Sequence, residues 1–261
     1  MDLEIEGNVA LCTAASSGLG LASAKSLARD GAHVALCGRT QERIDAARTA
    51  VDDVGDGEVL AVEADITDAD HVEAFVEQTV DRFSRIDHVV TSAGGVPPGR
   101  FDDMETSDWY DAYDMLVMSV VWTLNATTSF LRESDAGTVV AITSRSVEEV
   151  IDNLVLSNAV RRGVIGLVQT LSRELAPDVR VNAVLPGAHE TARIENLIEE
   201  AVERGEFADY EEGYQDWGTD VPLDRVGQPR ELGDVVAFLS SERASYVTGT
   251  SVPVDGGSIR G

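Results

Sequence analysis

The sequence predicts an α/β fold, a single doubly wound parallel seven-stranded sheet flanked by helices on both faces. Three observations point to it. Short, uniformly apolar runs alternate with segments of helical period along almost the whole chain, a glycine-bearing turn follows the first of those runs, and no linker divides the 261 residues. Strands covered on both faces need no polar side, so their runs are apolar throughout. The βα alternation then implies right-handed crossovers and one Rossmann-type domain, 1–261.

Taken in order, the run 9–13 is the first strand, and helix 18–30 opens within the turn that follows it. Strand 33–38 leads to helix 40–53, strand 59–65 to helix 69–84, and strand 88–93 to a long helix, 107–132. Strand 138–144 ends at Ser144. Helix 157–176 is the best defined, because Val160, Val164, Leu167, Val168, Leu171 and Leu175 follow the 3.6-residue period and Pro177 ends it. Ser157 and Arg161 stand on one face of it, four residues apart. After strand 181–185 the segment 190–222 breaks the rhythm, before helix 229–241 and strand 251–254 complete the sheet. That segment has acidic helix-like pieces with Phe207, Tyr210, Tyr214 and Trp217, and reads as a substrate lid over the strand carboxyl ends. A solvated acidic surface loop is the alternative.

The charge is lopsided: 47 acidic against 20 basic residues give −27, and Lys25 is the only lysine. Self-repulsion on this scale burdens the compact state in dilute buffer, whereas at ~1 M salt the Debye length falls to about 3 Å. A cytoplasm rich in salt is expected, an ordinary acidic protein being the alternative. No basic stripe exists to release counterions, which excludes nucleic acid as a partner. No apolar run approaches the ~18 residues of a membrane span, and the acidic start is unlike a secretory signal. Cys12 and Cys37, at the ends of neighbouring predicted strands, are expected to be reduced and packed.

The turn TAASSGLG, 13–20, holds Ala14, Ser16, Ser17, Gly18, Leu19 and Gly20 between a strand and a helix. Exposed N–H groups at a helix start favour a pyrophosphate there. At the end of the second strand the run is Cys37, Gly38, Arg39, with no acid to bond a ribose 2′-hydroxyl. Arg39 can pair with a 2′-phosphate, so NADP(H) is expected over NAD(H); a solvated helix-capping arginine is the alternative.

The stretches VVAITS (139–144), SNAVRRGVIG (157–166) and NAVLPG (182–187), with the glycine turn, resemble the short-chain dehydrogenase/reductase family, closest to its 3-oxoacyl-carrier-protein reductase branch. The resemblance implies further cofactor contacts. Asp65 and Ile66 match the family's adenine contact, Ser92, Ala93 and Gly94 stand where its Asn-Ala-Gly backs the ribose, and Pro186, Gly187 and Thr191 match residues flanking nicotinamide. Ala14 replaces a family glycine.

It also exposes a departure. Family members use a tyrosine to protonate the carbonyl oxygen, a lysine to lower the tyrosine pKa, a serine to anchor the carbonyl, and an asparagine to complete the proton relay. Here only Ser144 remains; Ser157, Arg161 and Leu116 stand at the other three positions. A serine hydroxyl is a far weaker acid than a phenol, and arginine stays protonated. The candidate catalytic residues Ser144, Ser157 and Arg161 therefore form an electrostatic site without a general acid, a loss worth roughly 10²–10⁴ in rate. His189, Tyr113 or Tyr214 are candidates to replace the acid, with backbone bonding or packing as their alternatives. Glu148 and Glu149 either repel anionic substrates or belong to the acidic surface.

The resemblance implies an NADP-linked oxidoreductase acting on a small carbonyl or alcohol through a non-standard proton path, with no metal. A catalytically degenerate NADP-binding protein with a sensing or assembly role is the second reading. A homotetramer through helices 107–132 and 157–176 and the C-terminal region from 245–249 to 255–257 is also implied, and Leu124, Ala126, Val168 and Leu171 suit either that interface or internal packing.

Overall fold

The computed structural model describes residues 2–259, the side chain of Arg193 excepted. Seven strands, β1 (Val9–Cys12), β2 (His33–Gly38), β3 (Val59–Glu63), β4 (His88–Thr91), β5 (Thr138–Ile142), β6 (Arg180–Pro186) and β7 (Ser251–Val254), form one sheet in the order β3-β2-β1-β4-β5-β6-β7. Every pairing is parallel. The chain starts mid-sheet, runs out to one edge and returns beside β1, so a crevice opens at the β1/β4 carboxyl ends.

Among the described residues ten α-helices lie between the strands: α1 (Gly18–Arg29), α2 (Gln41–Asp52), α3 (Ala69–Phe83), α4 (Thr106–Tyr113), α5 (Ser119–Glu133), α6 (Val155–Val160), α7 (Arg162–Glu174), α8 (Ala192–Glu203), α9 (Tyr210–Thr219) and α10 (Pro229–Ser240). Successive strand residues point to opposite faces and feed two cores. Leu11, Val89, Val139 and Val181 pack with Phe75, Leu124 and Val168 of α3, α5 and α7. Ala10, Val90, Val140 and Val184 pack with Leu27, Ile44 and Val236 of α1, α2 and α10. Leu124 and Val168 are thus internal, while Ala126 and Leu171 are partly buried beside them. Cys12 and Cys37 belong to different cores and are both free; burial raises both thiols, Cys37 to about 12.

The expected helix 107–132 is not continuous. One wide π turn, Asp114–Met118, separates α4 from α5, and Leu116 sits buried within it. One extra residue in a turn leaves the apolar pattern nearly intact, so the periodicity did not register it. Helix 157–176 starts two residues earlier, at Val155, is jointed at Arg161 between α6 and α7, and ends at Glu174. Strands expected to reach 65, 93 and 144 close at Glu63, Thr91 and Ile142. The residues beyond those ends, Ala64-Asp65, Ser92-Ala93 and Thr143-Ser144, lie past the strands and line the cavity. The segment 190–222 is not a loop: it folds into α8 and α9, with Ile194, Ile198 and Val221 buried.

At the opposite, amino end of the sheet lies a buried polar network. The Asp87 carboxylate accepts from Val9 N–H (2.8 Å), from Arg85 Nε (2.8 Å) and Nη2 (2.7 Å), and from the Ser134 hydroxyl. Burial opposes its ionisation, but those donors prevail and hold it below the usual carboxylate range. His88, wholly enclosed, bonds Thr138 Oγ1 through Nδ1 (2.8 Å) and the Asn8 amide through Nε2 (3.0 Å). An amide nitrogen only donates, so Nε2 accepts and the ring is neutral; burial lowers its pKa to about 4.

Candidate active site

A cavity of about 900 Å³ occupies the crevice at the strand carboxyl ends, near the upper end of ligand sites. Every candidate cofactor and catalytic residue lines it, although the sequence spreads them from Ala14 to Thr191.

One end is built on the turn after β1. Ala14 adopts φ +45° and Gly18 φ +58°, both left-handed, so Ala14 holds a conformation that favours glycine despite its methyl group. A Cβ at Gly20 would come 2.9 Å from the Ala14 carbonyl oxygen and 3.2 Å from Ser92 Oγ, so only glycine fits. Ser17 caps α1 without a side-chain hydrogen bond, leaving the helix start open toward the cavity. This cradle suits a pyrophosphate, by the charge of the helix end and the space beside it.

Beyond β2, Arg39 is exposed and is joined by Arg43 from the first turn of α2, a residue the sequence reading passed over. Asp65 follows β3; burial opposes its ionisation, but the Thr67 amide and hydroxyl at 3.0 and 2.8 Å, with Arg39 nearby, hold its carboxyl down. Ser92 N–H donates to Thr13 Oγ1 (3.0 Å), and that hydroxyl donates to Ser92 O (2.9 Å), pinning the end of β4 to the end of β1.

The other end holds the catalytic candidates. Ser144 follows β5 and its Oγ accepts from Ser146 N–H at 3.1 Å. Ser157 lies on α6, and its hydroxyl stands 3.0 Å from that of Ser146, also unremarked in the sequence. Arg161 Nε donates to Ser157 Oγ (3.2 Å), Nη1 to Thr143 O (3.3 Å) and Nη2 to Gly94 O (3.3 Å), bridging the ends of β4 and β5.

None of the three candidate replacements brings an acid to this point. Tyr113 is 48% exposed and off the cavity wall, and the Tyr214 hydroxyl donates to Glu190 at 3.3 Å. His189 does line the cavity, but its Nδ1 meets Gly187 O at 3.3 Å. A carbonyl only accepts, so the proton sits on Nδ1 and Nε2 carries a lone pair. Burial lowers the His189 pKa further, keeping the ring neutral. Leu116 supplies no polar atom. Glu148 is exposed, and Glu149 pairs with Arg145 at 3.7 Å. From the expected lid, Ile194, Leu197 and Trp217 form one wall, with Asp216 and Asp220 at its rim. Among the described residues no cluster of His, Cys, Asp and Glu is placed to hold a metal ion, and no helix is long and apolar enough to cross a membrane.

A parallel doubly wound sheet, a glycine turn at its switch point and a serine beyond β5 define an enzyme of the short-chain oxidoreductase type. Residues 13–258 match the model of the family described as enoyl-(acyl carrier protein) reductase, and the chain belongs to this family of short-chain dehydrogenases/reductases. It is 33% identical over 261 residues to the 3-oxoacyl-(acyl-carrier-protein) reductase of Synechocystis sp., covering 98% of each chain. It is 34% identical over 252 residues to levodione reductase of Leifsonia aquatica, covering 95% of this chain and 93% of that one. The solved structure of L-sorbose reductase from Gluconobacter frateurii, complexed with NADPH and L-sorbose, superposes with a TM-score of 0.96 at 28% identity over 100% of both chains.

Proposed function

We propose that this chain is an NADP(H)-dependent reductase of a ketone, or dehydrogenase of a secondary alcohol, working without the family's tyrosine acid. The observation that carries this reading is the single cavity joining the glycine turn and Arg39 to Ser144, Ser157 and Arg161. Ala14, Ser16, Ser17, Gly18, Leu19 and Gly20 would hold the pyrophosphate, Arg39 with Arg43 the 2′-phosphate, and Asp65 and Ile66 the adenine. Ser92, Ala93 and Gly94 would back the ribose, with Pro186, Gly187 and Thr191 around nicotinamide. The preference for NADP(H) is supported by two arginines and no carboxylate at the end of β2, and by a relative solved with NADPH.

When bound, the cofactor supplies or takes up hydride. Ser144 accepts from the Ser146 amide, which leaves its own proton to donate to the substrate oxygen. Ser157 adds a second donor and Arg161 a fixed positive charge, and such donors are worth about 3–4 kcal/mol each in other enzymes. The proton itself comes from solvent at the cavity mouth, because among the described residues no tyrosine lines the wall and the His189 proton is engaged by Gly187 O. The acidic surface and single lysine support a salt-rich cytoplasm as the working environment. Exposed Phe101, Tyr110 and Tyr113, in and beside α4, support assembly through that flank into the expected homotetramer, which light scattering tests.

The function is tested by titrating NADPH fluorescence in high salt and by following NADPH oxidation across a panel of ketones and diketones. Tight binding with slow turnover on one class of ketone is expected. Binding without turnover on any of them overturns the reading in favour of a degenerate binding protein, and absence of binding overturns both.

A further inference from the structure

Ser146 is fully buried and stands behind the cavity wall, yet its hydroxyl is 3.0 Å from that of Ser157, which faces the cavity. Among the described residues, Ser157 is the only hydrogen-bonding partner of the Ser146 side chain. The Ser157 oxygen also receives Arg161 Nε at 3.2 Å. A hydroxyl has one proton and two lone pairs. Were Ser157 the donor, the Ser146 proton would be left without an acceptor in the core, which folded proteins avoid. In the other direction every group is satisfied: Ser146 donates, Arg161 fills the second lone pair, and the Ser157 proton is left to face the cavity.

We propose that Ser146 is a positioning residue that, together with Arg161, aims the Ser157 O–H at the substrate oxygen. The inference rests on the reading of the cavity as a carbonyl-reducing site. Two donors converging on one oxygen, one of them charged, polarise its O–H and strengthen it as a donor. Arg161 is anchored on Thr143 O and Gly94 O, so the direction is set by the backbone ends of two neighbouring strands. Ser146 presets the other hydroxyl as well, since its amide donates to Ser144 Oγ at 3.1 Å. One buried residue thus orients both donors, by its side chain and by its main chain. The effect falls on charge developing at the oxygen, hence on kcat more than KM.

Ser146→Ala is expected to lower kcat about three- to tenfold with NADPH affinity unchanged, and Ser146→Thr, which keeps the hydroxyl, to restore most of it. In a Ser157→Ala background the same Ser146→Ala change is expected to cost nothing further. Equal losses in both backgrounds, or none in the first, overturn the inference. Neutron diffraction of the deuterated protein provides a readout independent of turnover. It is expected to show the Ser146 deuteron on the line to Ser157 Oγ and the Ser157 deuteron toward the cavity. The reverse orientation overturns the inference even where ketones are reduced, whereas a protein that reduces no ketone fails the functional reading while the deuterons still decide the hydroxyl directions.

Discussion

Arg161 Nε donates to Ser157 Oγ across 3.2 Å, joining two side chains of which neither releases a proton near neutrality. Turnover is therefore expected to be nearly flat from about pH 6 to 9, with no acidic or basic limb assignable to the site. The double substitution Ser157→Tyr and Arg161→Lys restores a titrating pair; it is expected to raise kcat at least about tenfold and to introduce a pH limb. Initial rates of NADPH oxidation across that range check both statements. A bell-shaped profile in the unaltered protein would point to an acid the structure does not reveal.

Arg39→Ala is expected to weaken NADPH binding about 10- to 100-fold, the loss of a charge-assisted contact, and to leave NADH nearly unaffected. Arg43→Ala, one helical turn further, should give a smaller loss of the same sign. Fluorescence titrations with both dinucleotides decide, and parallel losses for the two would remove the phosphate from the account.

Ala14 holds φ +45°. Replacing it by glycine relieves a left-handed backbone penalty of about 1–2 kcal/mol while loosening the unfolded chain by about 0.4–1 kcal/mol. Ala14→Gly should thus stabilise by between about 0 and about 1.6 kcal/mol and tighten NADPH binding. Thermal unfolding with and without NADPH measures each part separately.

The His88 ring has its pKa lowered from 6.5 to about 4. A lowered histidine is protonated first in the unfolded chain, so its contribution to stability is complete above 6.5 and is lost as pH falls toward 4. Asp87, held low by its donors, loses its contribution in the same direction at still lower pH. Stability is expected to fall by on the order of 3 kcal/mol across the histidine window. Denaturant unfolding at several pH values checks it, and His88→Asn, which removes the titration, should flatten the slope.

With a net charge of −27, the unfolding midpoint is expected to rise between about 0.1 M and about 2 M KCl. Equal midpoints would refute the salt-rich setting.

The parallel doubly wound sheet was legible because its signals were local, apolar runs and a glycine turn, while the remote residues that gather at its end were legible through the family resemblance. The π turn around Leu116 was not, since one added residue scarcely disturbs helical periodicity. Arg43 and Ser146 were missed for different reasons. Arg43 lies inside a helix with no motif of its own and is brought to the cavity wall by the fold, and the closeness of the Ser146 hydroxyl to that of Ser157 shows only once the distance between the two side chains is known. His189 drew attention by its type, and the backbone bonding expected as the alternative is what the structure holds, with Gly187 O as the partner.

The polar network around Asp87 and His88 braces the sheet at the end remote from the cavity. The residues at 144, 157 and 161 are not part of that network, whose bonds run among Asn8, Val9, Arg85, Asp87, His88, Ser134 and Thr138. The chemistry-bearing crevice and the polar brace thus occupy opposite ends of the strands, so an acid that protonates His88 strikes the protein far from where a substrate would sit.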